Sequence, residues 1–248
     1  MFHFPTLPWI TPDVVVTWKQ GVLEDRHVFE RIWTLLRQNP RLVVLDIPLQ
    51  AGLRDLPESF IITTLSSMQH LKELRLTWHT LDTETFLTAI PRLERLCIFN
   101  LQGIISKQED FGDLRYFYIQ RSITVNELSA IVERLPKLED LRISSVRDED
   151  KKEPATVWTG KLFRLVKKLK LNVAHDFNDD TIALLVRLFP AVVSVHIPTV
   201  FEKTKEALWE NCYDLDEIVS EEAVSTDAWR QRRLEDAEKQ SKECKHDN

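Results

Sequence analysis

The sequence predicts an α/β solenoid, a right-handed coil of short repeats with a parallel β-sheet on its concave side and helices on its convex side. Three observations predict it. An apolar pattern, Leu-x-x-Leu-x-Leu/Ile, recurs along the chain; helix-period apolar residues precede several copies; and a proline stands at a fixed place before four of them. One such unit cannot cover its own apolar face, so it requires neighbours stacked on either side.

The clearest unit is Leu128 to Ile143. Thr124 and Glu127 are spaced as a capping box, and Leu128, Ile131, Val132 and Leu135 share one helical face. Pro136 stops the helix, and Leu141 and Ile143 then alternate with polar residues as in a strand with one buried face. Aligned on the first apolar position, the copies are Leu42-Leu45-Ile47, Leu71-Leu74-Leu76, Leu93-Leu96-Ile98, Leu114-Phe117-Ile119 and Leu138-Leu141-Ile143. Val166-Leu169-Leu171, Val192-Val195-Ile197 and a decayed Leu215-Ile218 continue the series. Successive first positions lie 29, 22, 21, 24, 28, 26 and 23 residues apart. Asn39-Pro40-Arg41, Ile90-Pro91-Arg92 and Leu135-Pro136-Lys137 share a lead-in, and Phe189-Pro190-Ala191 keeps its proline.

Taken in order, residues 1–27 read as an N-terminal cap, with Pro5, Pro8 and Pro12 among aromatics and a short strand expected from Val14 to Trp18. A repeat domain of seven to eight units follows over residues 28–224. Its helices are marked by Val28, Phe29, Ile32, Trp33 and Leu36, then by Ile61, Leu65 and Met68, then by Phe86, Leu87 and Ile90. Glu109-Asp110-Phe111-Gly112 leaves room only for a turn, and Arg147 to Pro154 reads as a solvated loop. Thr181 to Phe189 is a helix burying Ile182, Leu185 and Val186. Residues 225–248 are nearly all polar and lack an apolar stripe, so they are expected as a frayed helix or disordered tail.

The chain carries 43% hydrophobic residues over its 248 positions, enough for a sizeable core. A formal charge of −6 argues against general binding to nucleic acid or anionic membranes, which rely on excess Lys and Arg. Three scattered cysteines, Cys97, Cys212 and Cys244, do not form a disulfide framework. The start lacks a signal-peptide pattern, and no stretch approaches a membrane span. A soluble, reduced protein of cytosol or nucleus is expected.

The repeated units with their intervening helices resemble the leucine-rich-repeat superfamily, and more closely its irregular ribonuclease-inhibitor-like, horseshoe-shaped members. Ile32-Trp33-Thr34-Leu35-Leu36-Arg37-Gln38-Asn39-Pro40-Arg41-Leu42 and Arg134-Leu135-Pro136-Lys137-Leu138-Glu139-Asp140-Leu141 are similar to divergent repeats of fungal F-box proteins. The resemblance spans roughly residues 28–220. Regular repeats carry Asn or Cys three places after the last strand residue; here Gln50, His79, Leu101, Ser122, Val146, Ala174 and Val200 stand there, so an irregular solenoid is expected. The F-box itself is not seen, Leu7-Pro8-Trp9-Ile10 being its only echo. What the resemblance implies is a non-catalytic protein-binding module, the substrate-recognition part of an F-box-like protein in ubiquitin ligation. The alternative is a free-standing repeat scaffold or regulator unrelated to ubiquitin.

In such an architecture the strand residues flanking the buried positions line the concave face. Phe99, Tyr116 and Tyr118 then fall between Arg75 and Arg95 on one side and Arg142, Lys168 and Lys170 on the other. Aromatics with arginine are the composition of a binding hot spot. The three flanking rows from the second to the sixth strand hold five basic residues against Glu73 and Asp140, so an acidic or phosphorylated protein partner is expected. Neither nucleic acid nor membrane is expected as a partner. The sequence supports catalysis poorly: five glycines form no phosphate-cradling loop, and no cofactor or metal is expected. His175-Asp176 beside Asp179-Asp180 reads as a polar, N-capping loop rather than a metal site. Cys97, near Arg75 and Arg95, has no histidine beside it and reads as a buried or edge thiol.

Overall fold

A computed structural model describes residues 14–17, 31, 33–36, 38–39, 41–48, 57–82, 89–90, 92–102, 112–147, 162–172, 179–221 and 223–243. The chain divides into two compact units, Met1–Gln120 and Arg121–Asn248. In each, the strands form an open, all-parallel sheet whose order follows the chain, alternating with helices.

Unit 1 contains β1 (Val14–Thr17), β2 (Leu42–Pro48), β3 (Glu73–Asp82), β4 (Arg95–Gln102) and the first part of β5 (Tyr116–Thr124). Each strand pairs in parallel with the next. The register matches the repeat alignment: Leu45 lies opposite Leu74, Leu74 opposite Leu96, and Leu96 opposite Phe117. Leu74, Leu76, Leu96, Ile98, Phe117 and Ile119 are all buried. Helix α1 (Glu58–Ser66) supplies Ile61 and Leu65, and Met68 follows it, so this apolar face closes over the sheet. Residues 33–36 are helical, with Trp33 and Leu36 buried. Phe86 and Leu87 of the third predicted helix lie outside the described residues, as does most of the N-terminal cap apart from β1.

Unit 2 contains α2 (Val125–Val132), β6 (Asp140–Arg147), β7 (Lys168–Leu171), α3 (Asp179–Arg187), β8 (Ser194–His196), α4 (Glu202–Asn211), β9 (Glu217–Val219) and α5 (Asp227–Glu243). Here Leu141 faces Leu169, Leu169 faces Val195, and Val195 faces Ile218. β5 runs straight into α2 at Thr124. The predicted capping box is present: Glu127 N–H donates to Thr124 Oγ1 at 3.1 Å, and Thr124 N–H to Glu127 Oε2 at 2.9 Å. Leu128, Ile131, Val132 and Leu135 are buried on the face assigned from their spacing. α3 starts two residues before the predicted Thr181 and buries Ile182, Leu185 and Val186 as expected.

Two backbone devices repeat and explain the lead-ins. At each, a turn closes by a bond from the first apolar residue back to the carbonyl three before it: Leu42 to Asn39, Leu71 to Met68, Leu93 to Ile90, Leu138 to Leu135, Val192 to Phe189 and Leu215 to Cys212. Pro136 and Pro190 occupy the second position of that turn, where proline's fixed φ is already correct and its missing N–H is not needed. Next, one carbonyl accepts two successive N–H groups of the following repeat. Lys72 O takes Glu94 and Arg95, Glu94 O takes Arg115 and Tyr116, Glu139 O takes Lys167 and Lys168, Lys167 O takes Val193 and Ser194, and Val193 O takes Asp216 and Glu217. Backbone bonding at the strand starts therefore joins neighbouring turns in a chain without a regular Asn or Cys position.

The polar C-terminal stretch is a helix held by few but specific contacts. Trp229 is buried and packs edge-on against Trp209, with centroids 5.2 Å apart. Thr226 Oγ1 donates to the Asp216 carbonyl, and Arg233 donates to the carbonyls of Tyr213 and Leu215 and pairs with the Asp216 carboxylate. Composition alone reads this segment as frayed because a single tryptophan, rather than a stripe, anchors it.

Candidate partner-binding faces

Alternation in a strand sends every second side chain away from the core, and parallel register brings those side chains into rows across neighbouring strands. In unit 1 one row runs Val44, Glu73, Arg95, Tyr116 and the next Asp46, Arg75, Cys97, Tyr118. Arg75 and Arg95 are exposed, while Tyr116 and Tyr118 are half-buried. The Arg95 guanidinium lies over the Tyr116 ring, 4.6 Å from its centroid, which holds both side chains in one patch. Phe99 belongs to β4, but its side chain lies outside the described residues.

The same rows contain the counter-charges. Arg95 Nε is 3.3 Å from Glu73 Oε2, and Arg75 Nη1 is 3.6 Å from Asp46 Oδ2. The positive excess counted from the sequence is therefore partly spent within the face itself. Adjacent repeats carrying opposite charges at one row position are the signal that marks these pairs in the sequence.

Cys97 is buried below this face, and Gln120 Nε2 lies 3.5 Å from its sulfur. Burial pushes its thiol pKa up; the nearby Arg75 and the bond from Gln120 act in the opposite direction but do not prevail. Proximity to arginine therefore does not make Cys97 a reactive thiolate, and the reading of it as a buried thiol holds.

In unit 2 the corresponding rows run Asp140, Lys168, Ser194, Glu217 and Arg142, Lys170, His196, Val219. Arg142 Nε sits 3.3 Å from Asp140 Oδ1, and Ser194 Oγ donates to Glu217 Oε2 at 2.7 Å. Among the described residues no ion pair holds Lys168 or Lys170. Burial, followed by the charges of Lys170 and Arg142, pushes the His196 pKa down, with Glu217 opposing them. Arg142 and Lys170 thus share one row with His196 on three consecutive strands.

The Asp pair considered for N-capping acts elsewhere than expected. Asp179 and Asp180 are the first residues of α3, and Asp179 accepts from the Lys203 and Thr204 N–H groups, both at 2.8 Å, and from Thr204 Oγ1 at 2.6 Å. It therefore caps the next helix, α4, while Lys203 Nζ reaches Asp180 at 2.6 Å. His175 and Asp176 lie outside the described residues. Among the described residues no three His, Cys, Asp or Glu side chains converge as metal ligands, and no helix is long and apolar enough to cross a membrane.

Comparison with models of known protein families and with curated proteins finds no match to this chain.

Proposed function

We propose that the chain is a non-catalytic protein-binding module of the leucine-rich-repeat kind, and that it engages its partner through the open faces of its parallel strands. The observation that carries this reading is the contiguous Arg95–Tyr116 patch, with Arg75 and Tyr118 in the next row. Half-buried tyrosines beside exposed arginines offer large contact area at small entropic cost. On unit 2, Arg142, Lys168 and Lys170 supply the chemistry for acidic or phosphorylated groups.

The biological setting we favour is substrate recognition in ubiquitin ligation, as part of an F-box-like protein in cytosol or nucleus; it rests on the resemblance of the repeats. A free-standing scaffold would use the same faces without a ligase adaptor. Pull-down from native-source lysate, using the intact chain and a folded Tyr116→Ala/Tyr118→Ala/Arg142→Ala variant, tests the reading. A partner captured only by the intact chain supports it, and an accompanying adaptor and cullin support the ubiquitin setting. Identical captures would overturn the assignment of these faces.

A further inference from the structure

A different surface of unit 1 gathers cations by the same repeat logic. The turns leading into β2, β3 and β4 place Arg41, His70 and Arg92 at the same position, the third residue of each turn, immediately before Leu42, Leu71 and Leu93. All three are exposed, and among the described residues none of them is in an ion pair. Adjacent strands are about 4.8 Å apart, so the three stand in a row along the start of the sheet rather than on its open face. They line one cleft of about 670 Å³.

The other charged groups of the cleft are Lys72, Glu94 and Asp113. Lys72 Nζ lies 2.8 Å from Glu94 Oε1, so this pair largely neutralises itself, and Asp113 stands where the row ends. The backbone beneath is occupied, since Lys72 O already accepts Glu94 and Arg95 N–H. The Arg41, His70 and Arg92 side chains supply the charged donors of the cleft. Two guanidinium forks flanking an imidazole provide more donors than a single carboxylate can use. A phosphomonoester, with three acceptor oxygens and a charge of about −1.5 to −2, can accept from both forks and the ring at once.

We propose that this cleft is a second binding site, specific for a phosphomonoester held by Arg41, His70 and Arg92. It is independent of whether the open sheet faces bind a protein. The phosphomonoester can be carried by a peptide or by a small molecule, and both sources share the same contacts.

The test is fluorescence polarisation with the full chain and a labelled, otherwise uncharged peptide bearing one phosphoserine, set against its serine counterpart, with inorganic phosphate as competitor. The phosphopeptide should bind, and the serine peptide should bind at least about tenfold more weakly. Arg41→Ala and Arg92→Ala, each shown to be folded by circular dichroism, should each weaken binding about tenfold, while Arg164→Ala on unit 2 leaves it unchanged. Inorganic phosphate should displace the probe; displacement at the peptide's own affinity identifies a small phosphate as sufficient, and much weaker displacement identifies a partner-borne one. Equal binding of the two peptides, or full binding by the folded Arg41→Ala and Arg92→Ala variants, would overturn the proposal.

Discussion

Arg95 is shared between two neighbours: its guanidinium stacks over the Tyr116 ring at 4.6 Å while its Nε faces Glu73 Oε2 at 3.3 Å. Glu73, Arg95 and Tyr116 lie on three consecutive strands at one register position. The aromatic contact orients the arginine, and the carboxylate competes with any acidic partner for it.

Replacing Glu73 by Gln should therefore release Arg95 without disturbing the fold. Both side chains are about half exposed, so the pair contributes only about 0–1 kcal/mol to stability. Urea denaturation of Glu73→Gln should give a midpoint close to that of the parent, while affinity for an acidic partner rises. Weaker binding by the variant would show that Glu73 itself contacts the partner.

Asp179→Ala removes three hydrogen bonds from the start of α4, two from backbone N–H groups and one from the fully buried Thr204. An ordinary cap loss costs about 1 kcal/mol, and the Thr204 hydroxyl left unpaired adds about 1–3 kcal/mol. Urea unfolding should show this loss for Asp179→Ala, and Asp180→Ala, which breaks an exposed ion pair with Lys203, should stay near wild type. Equal effects would mean that charge rather than capping matters here.

The repeat register was legible because a strand with one buried face leaves a two-residue alternation and because proline can occupy only one place in the lead-in turn. The pattern alone thus sets Leu74, Leu96 and Phe117 side by side, as the register has them. Asp179 capping a helix that begins more than twenty residues later was not legible, since its neighbours in sequence give no hint of the helix packed beside it. Nor was the anchoring of α5, because one buried Trp229 in a polar stretch produces no periodic signal. Among the candidate site residues, the positions of Arg75, Arg95, Tyr116 and Tyr118 followed from the pattern. Their internal neutralisation by Asp46 and Glu73 depends on side-chain geometry as well as on the rows.

Trp229→Ala should detach α5 from the end of unit 2. Emptying a site that is 3% exposed costs about 3–5 kcal/mol in a core of ordinary packing. Limited trypsin digestion should cut at Arg230, Arg232 and Arg233 far faster in the variant, with the repeats themselves spared. Unchanged cleavage would show that the polar contacts, those of Arg232 and Arg233 among them, hold the helix without Trp229.

Burial pushes the Cys212 thiol up to about 12 from an ordinary value of 9.0. Because the folded-state value lies above the unfolded one, the stabilisation is fully present below pH 9 and is lost as pH rises toward 12. The loss should run at up to about 1.4 kcal/mol per pH unit within that window. Comparing urea midpoints of wild type and Cys212→Ala across alkaline pH checks it: the wild type should show the steeper decline. Parallel declines would mean that Cys212 ionises freely in the fold.

The claim that the open strand face is the binding surface is tested most directly by site-specific photo-crosslinking. A benzophenone side chain is placed at Tyr118 on the open face or at Glu206 on the exposed side of α4, and each is irradiated with the captured partner. Binding on the open face gives a crosslinked adduct from position 118 and none from position 206. An adduct from 206 with none from 118 would contradict it and place the partner on the helices instead.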